Sequence, residues 1–178
     1  MGARGRKTRY LSGVGLLPNL DDPNRNIVRE AWNRLHPLPG GKLLFSKFLG
    51  RTAPYTGTID AHVEDLGRGF SRVTMRDRAG LRNHLRSVHA IALANLAELT
   101  GNVALAYSIP DNARFIVAGM RLDYIKKARG TITGYGETPE IRTNERKEYE
   151  VHVSLRDAAG DEVVHAVLQT LVGPKKGG

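Results

Sequence analysis

The sequence predicts an α+β domain: an antiparallel β-sheet wrapped around one long central helix, with a helical extension before it. Three observations point there. Residues 88–107 are rich in Ala and Leu, strong helix formers, and their apolar side chains circle the whole wheel, the mark of a helix enclosed by protein. Before this segment, between residues 59 and 75, apolar and polar residues alternate on either side of a Gly-Arg-Gly turn, as in a β-hairpin. After it, alternation returns in several further segments. One sheet cannot enclose a helix alone, so a second copy of the chain is expected to cover the other side.

With 178 residues the chain suffices for one domain with a sizeable core. It has no cysteine, which excludes disulfides and thiolate metal sites. No apolar run approaches the roughly 20 residues needed to span a bilayer, so no membrane span is expected. The basic start (Arg4, Arg6, Lys7, Arg9) leads into a segment broken by Ser, Gly, Pro and Asn, a poor signal peptide. Met1-Gly2 lacks the Ser or Thr at position 6 of a myristoylation signal, and the expected compartment is the cytoplasm. A net charge of +9 fits nucleic acid or a small polyanion as partner. Much of the excess lies in the first ten residues and in Lys175-Lys176, and the interleaved aromatics needed to bind single strands are missing. Nucleic acid is therefore not an expected partner.

Residues 1–22 read as a basic flexible arm, 23–56 as a helical extension, 57–173 as the main domain and 174–178 as a tail. Asp21 or Asp22 before Pro23 predicts a helix start. Ile27, Val28, Ala31, Trp32 and Leu35 make 24–36 amphipathic, and Pro37, Pro39, Gly40 and Gly41 end it. Residues 43–49 are ambiguous; a short helix would turn Phe45 and Phe48 inward. Ile59, Ala61 and Val63 alternate with polar neighbours as the first strand, and 70–75 returns as the second. The central helix passes Gly101 and stops before Pro110. Strands are expected over 115–125, with Met120, Leu122 and Tyr124 on one face, and over 130–136, 148–155 and 163–172.

Within the central helix stands one acid, Glu98, and an ionised side chain is rarely buried without a reason. His89 lies nine residues before it, and Asn83 six before that. This spacing resembles the pattern of the phenylacetate-type acyl-CoA thioesterases of the hotdog-fold superfamily: Asn, six residues later His-Gly-Gly, and nine after that His an Asp or Glu. The Leu-Ala before Glu98 and the segment 122–130 (Leu-Asp-Tyr-Ile-Lys-Lys-Ala-Arg-Gly) are similar too, and the likeness covers about residues 57–173. Ala90 and Ile91 stand where the family has two glycines, and Val117 falls where some members carry Ser or Thr to hold water. The chain thus looks like an uncharacterised branch.

The resemblance implies a hotdog fold and hydrolysis of an acyl-CoA or acyl-carrier thioester. It makes Glu98 the base or nucleophile, the Ala90 N–H an oxyanion donor, and Asn83 and His89 the groups that position water and carbonyl. The chemistry is consistent with this. A helix N-terminus offers free N–H groups and a positive dipole end where charge develops on the carbonyl oxygen, and a carboxylate can activate water. Nine residues put Glu98 about 13 Å from His89 along one helix, too far to share a carbonyl. Two antiparallel helices about a twofold would set Glu98 of one chain beside His89 and Ala90 of the other, so the chemistry also calls for a homodimer, which a tetramer could extend. Arg82, Arg86, Lys126, Lys127 and Arg129 are candidates to meet the phosphates of coenzyme A. No metal or cofactor is expected; coenzyme A enters only as part of the substrate. Blander roles exist: Glu98 as a structural acid, His89 as a cap or orienting residue, Ser87 as the N-cap, Asn83 as a loop pin, the cations as a solvated strand end. The alternative function is a non-catalytic acyl-CoA or fatty-acyl binding protein.

Overall fold

The computed structural model describes residue 22 and residues 24–175. The expected arm, apart from Asp22, and the tail beyond Lys175 lie outside the described residues. Lys175 is tied down: its Nζ donates to the carbonyls of Asp22 and Arg25 at 2.8 and 2.7 Å.

Helix α1 (Ile27–Leu35) does not start at Asp21 or Asp22, as the Pro23 signal implied. Its cap is Asn26, whose side chain accepts the Arg29 N–H at 2.9 Å and donates to the carbonyls of Ala106 and Ile109. One residue thus caps a helix start and binds the end of another. Helix α2 (Gly41–Thr52) is longer than the ambiguous 43–49 pattern suggested. Phe45 is fully buried, edge-on to Trp32 with ring centroids 5.1 Å apart, and Phe48 is half-buried. A single turn, α3 (Pro54–Gly57), follows. Strand β1 (His62–Gly67) therefore begins later than the alternation implied: Ile59 is buried, but it and Ala61 belong to the approach.

Strands β1 and β2 (Phe70–Met75) form the expected hairpin. Helix α4 (Ala90–Ser108), β3 (Ala113–Tyr124), β4 (Ile132–Glu137), β5 (Lys147–Arg156) and β6 (Glu162–Pro174) follow. All the strands join one antiparallel sheet in the order β1-β2-β4-β5-β6-β3. Contrary to the sequence expectation, α4 is long and apolar enough to cross a membrane, but most of it is buried within the domain.

Glycine lets α4 approach the sheet. A Cβ at Gly101 would sit 2.8 Å from Leu168 Cδ2 on β6, and one at Gly136 of β4 would sit 2.7 Å from Ser71 Oγ and 2.9 Å from the Thr100 carbonyl oxygen. Ser71 Oγ donates to that same carbonyl at 2.7 Å. Gly136→Val is expected to overpack this contact and cost about 1–3 kcal/mol, read as a lower urea midpoint with unchanged m-value.

The two sheet edges differ. On β1, α2 satisfies the outer backbone: Ser46 Oγ accepts the Val63 N–H at 2.9 Å, and Lys42 Nζ donates to the Glu64 carbonyl at 2.7 Å. Beyond β3 no element of the described chain pairs. A bulge between Val117 and Gly119 leaves Phe115, Val117, Met120, Leu122 and Tyr124 opposite Val172, Thr170, Leu168, Ala166 and Val164 of β6. Met120, Leu122 and Tyr124 thus share the inner face, as the alternation predicted. Those β6 residues are buried, whereas Met120 is 38% and Tyr124 48% exposed. The inner face of β3 is only partly covered, with Phe115, Val117 and Leu122 half-buried against the core.

Candidate functional site at the start of the central helix

The N-cap of α4 is His89, not Ser87. His89 has extended backbone, and its Nδ1 accepts the Ile91 N–H at 3.1 Å. In the neutral ring this leaves the proton on Nε2, a donor on an exposed side chain. Ala90, the first helical residue, is exposed, and its N–H has no partner among the described residues. Ser87 is buried and donates its hydroxyl to Asn83 Oδ1 at 3.1 Å. That oxygen also accepts the N–H groups of Leu85 and Ser87 at 2.9 and 3.3 Å, closing a loop in which Arg86 takes φ 55°. Asn83 is therefore a loop pin through its oxygen, and its amide NH2 is what remains for a ligand.

This loop is stitched to the connection between β3 and β4. The Val88 N–H donates to the Ala128 carbonyl at 2.9 Å. Tyr124 donates its hydroxyl to the Ala90 carbonyl at 3.1 Å, and burial pushes its phenol pKa up. Asp77, with its side chain only 6% exposed, accepts Arg82 Nε at 2.7 Å and the Gly130 N–H at 3.0 Å. The Arg82 guanidinium, and next the Gly130 amide, hold the Asp77 carboxyl below its ordinary value. Sequence reasoning missed Asp77 and Tyr124 as parts of the site. Apart from Arg82, five residues from Asp77, their partners lie 53 and 34 residues away, and only Tyr124 carried a signal, its inner-face alternation.

Because the folded pKa of Asp77 is depressed, its contribution is complete above the unfolded carboxylate pKa of about 3.9 and is lost as pH falls through the lower folded value. Asp77→Asn is expected to lower the thermal midpoint at neutral pH. The gap to wild type should narrow below about pH 4. Melting curves across pH 2–7 check this.

The five candidate cations divide. Arg82 is held by Asp77, and Lys126 sits between Asp157 and Asp161 at 2.7 and 2.6 Å. Arg86, Lys127 and Arg129 are exposed and unpaired among the described residues.

Glu98 is half-buried rather than buried. Asn102 Nδ2 donates to its Oε1 at 3.5 Å, while the buried Asn102 Oδ1 has no partner among the described residues. On the wheel, Ala94, Glu98 and Asn102 form a half-buried stripe with exposed Ile91. Gly101 lies against β5 and β6 and Thr100 against β4, and on the wheel Glu98 is turned about 60° from Gly101, to the side opposite Thr100.

No curated protein matches the chain. The family described as "Domain of unknown function (DUF4442)" matches residues 41–172. Among solved structures, the structural-genomics protein APC5556 is 27% identical with a TM-score of 0.72, over 83% of this chain and 98% of that one. PA5026 from Pseudomonas aeruginosa, described as a protein of unknown function and probable thioesterase, is 26% identical with a TM-score of 0.66, over 77% and 97%. The E. coli PaaI protein of the phenylacetic acid degradation operon, at 16% identity and a TM-score of 0.56 over 75% and 95%, shares the fold. The chain belongs to the DUF4442 family and carries the hotdog fold of the thioesterase superfamily.

Proposed function

We propose that the protein is a cytoplasmic acyl-CoA or acyl-carrier thioesterase with two equivalent sites in a homodimer. The observation that carries this is the start of α4: a free, exposed Ala90 N–H beside a histidine whose Nδ1 is already committed. Glu98 lies on the open stripe of the same helix. The description of PA5026 as a probable thioesterase agrees with it.

In this mechanism the thioester carbonyl oxygen accepts from the Ala90 N–H, where the helix dipole favours negative charge. Glu98 of the other chain takes a proton from water as the water attacks the carbonyl carbon. The tetrahedral intermediate collapses, the C–S bond breaks, and the thiolate takes up the proton. Were Glu98 instead to attack directly, C–S cleavage would leave a mixed anhydride on Glu98, which water then hydrolyses to release the acid, one water proton going to the thiolate. The Asn83 amide and His89 Nε2–H orient carbonyl and water. Arg86, Lys127 and Arg129 meet the phosphates of coenzyme A. Arg82 and Lys126, already neutralised by acids, position the surrounding loops instead.

The homodimer is supported by the β3 edge, with which no further strand pairs among the described residues. The partly exposed stripe of α4 is apolar apart from Glu98 and Asn102, and the inner face of β3, joined to α4 by the Tyr124 hydroxyl on the Ala90 carbonyl, exposes Met120 and Tyr124. A long unpaired edge strand is a template for pairing, and a twofold there would run two α4 helices antiparallel.

The second reading, a non-catalytic acyl-CoA binding protein, is favoured by Ile91. It is 54% exposed where the similar enzymes keep glycine, and half-buried Val117 offers no hydroxyl to water. Free-thiol release from short, long and aromatic acyl-CoAs separates the readings. Hydrolysis requires release on at least one substrate. Saturable binding without release supports the second reading, and neither leaves Glu98 a structural acid.

A further inference from the structure

The N-terminal helices build a cleft that the hydrolytic reading does not use. It lies between α2 and α3 on one side and the β1–β2 hairpin on the other, with a volume of about 1020 Å³, at the top of the ~300–1,000 Å³ range of small-molecule sites. Its walls include Leu49, Ile59 and Val63, and Leu99 of α4 reaches into it. Ile59 and Val63 are buried, and the apolar surface the cleft offers comes from half-buried Leu49 and Leu99.

Cations line the same cleft. Lys47 and Arg51 come from α2, and Arg76 and Arg78 from the end of β2. Arg78 donates to the Thr58 carbonyl at 2.6 Å. Lys47, Arg51 and Arg76 have no hydrogen bond or ion pair among the described residues. The acids beside them are mostly committed: Asp77 to Arg82 and Gly130, and Glu64 to Thr74 and His62 at 3.0 and 3.2 Å. Asp60 is the exception. From residue 37 to residue 59 the chain carries no Asp or Glu. At the mouth, Leu43 is 47% exposed, and its neighbour Leu44 is 56% exposed.

Apolar walls would bury a hydrocarbon chain, while a carboxylate buried without a partner is costly and needs cations at the rim. We propose that this cleft binds a medium-chain fatty acid, with its carboxylate among Lys47, Arg51 and Arg76 and its chain running over Leu49 toward Leu99. The cleft is formed within one chain, so binding needs neither the dimer nor hydrolysis. A fatty acid is also what acyl thioester hydrolysis releases. If both readings hold, Leu99, the residue after Glu98, links the cleft to the catalytic helix, and the occupant is a product or an effector.

The test is calorimetric titration of the full chain with octanoate, decanoate, dodecanoate and dodecanol, using wild type, the double variant Lys47→Glu/Arg76→Glu, and Glu98→Ala. Saturable binding of one carboxylate per chain is expected, strengthening by up to about fourfold per added methylene, with dodecanol much weaker. The double variant should bind dodecanoate at least tenfold more weakly at an unchanged thermal midpoint, and Glu98→Ala should bind as wild type does. The proposal is overturned by absent binding in wild type, by equal binding in the double variant, or by equal binding of dodecanol. Loss of binding in Glu98→Ala also overturns it, because the fatty acid would then occupy the interface site. Thiol release plays no part in these readouts, so failure here and failure of the thioesterase reading remain distinct.

Discussion

Glu98→Ala is expected to reduce thiol release by about 10²–10⁴-fold, the scale of a lost general base, with the dimer intact and coenzyme A still bound. That is about 3–5 kcal/mol of transition-state stabilisation. The size follows from Glu98 being the sole carboxylate on α4 and having no cation partner in its own chain among the described residues. Glu98→Gln sharpens the result. It keeps shape and hydrogen bonding, including the contact with Asn102, but cannot take a proton from water. A base requires both variants to fail alike in kcat. A structural acid would give an active Gln variant and an Ala variant that loses dimer first. Sedimentation and stopped-time thiol assays on the same samples decide between them.

Met120→Glu is expected to dissociate the dimer and remove activity together. Met120 stands on the inner face of β3, opposite Leu168 and 38% exposed in one chain, so the single chain accommodates a charge there. An interface does not. An uncompensated charge buried between two chains costs about 3 kcal/mol or more, roughly a hundredfold in dissociation constant. If each site takes Glu98 from one chain and Ala90 from the other, thiol release should follow the dimer fraction as protein concentration is raised. A Met120→Glu monomer with full activity would end the two-chain site.

Much of this molecule is legible in its sequence, and the failures share a cause. The hairpin, the all-round apolar helix and the later strands announce themselves because their periods run long and unbroken. The face shared by Met120, Leu122 and Tyr124 is readable for the same reason. Residues 43–49 are not, because adjacent Leu43, Leu44 and Phe45 fit no single period: two of the three turn to solvent. The caps mislead because propensity is local. Asp22 and Ser87 are good capping residues, yet Asn26 and His89 take the role. Asn26 also binds the far end of α4, and the Ser87 hydroxyl is claimed by Asn83. Within the candidate site, the Asn83, His89 and Glu98 spacing is visible in one dimension. The braces from Asp77 and Tyr124, and the pairing of Lys126 with Asp157 and Asp161, arise only when distant segments meet.

The covering of β1 by Ser46 and Lys42 has a consequence for growth. A sheet able to accept strands at both margins has no stopping point, and at high concentration it becomes the seed of a fibre. Here one margin is sealed from inside the chain by two side chains of α2. Any addition therefore takes place at the other margin, and a second copy arriving there brings its own sealed margin to the outside. If the proposed dimer forms through β3, strand addition stops at two units. In that dimer the extension's helices would act as a chain terminator, and cutting their two contacts to β1 would open a second margin to strand addition.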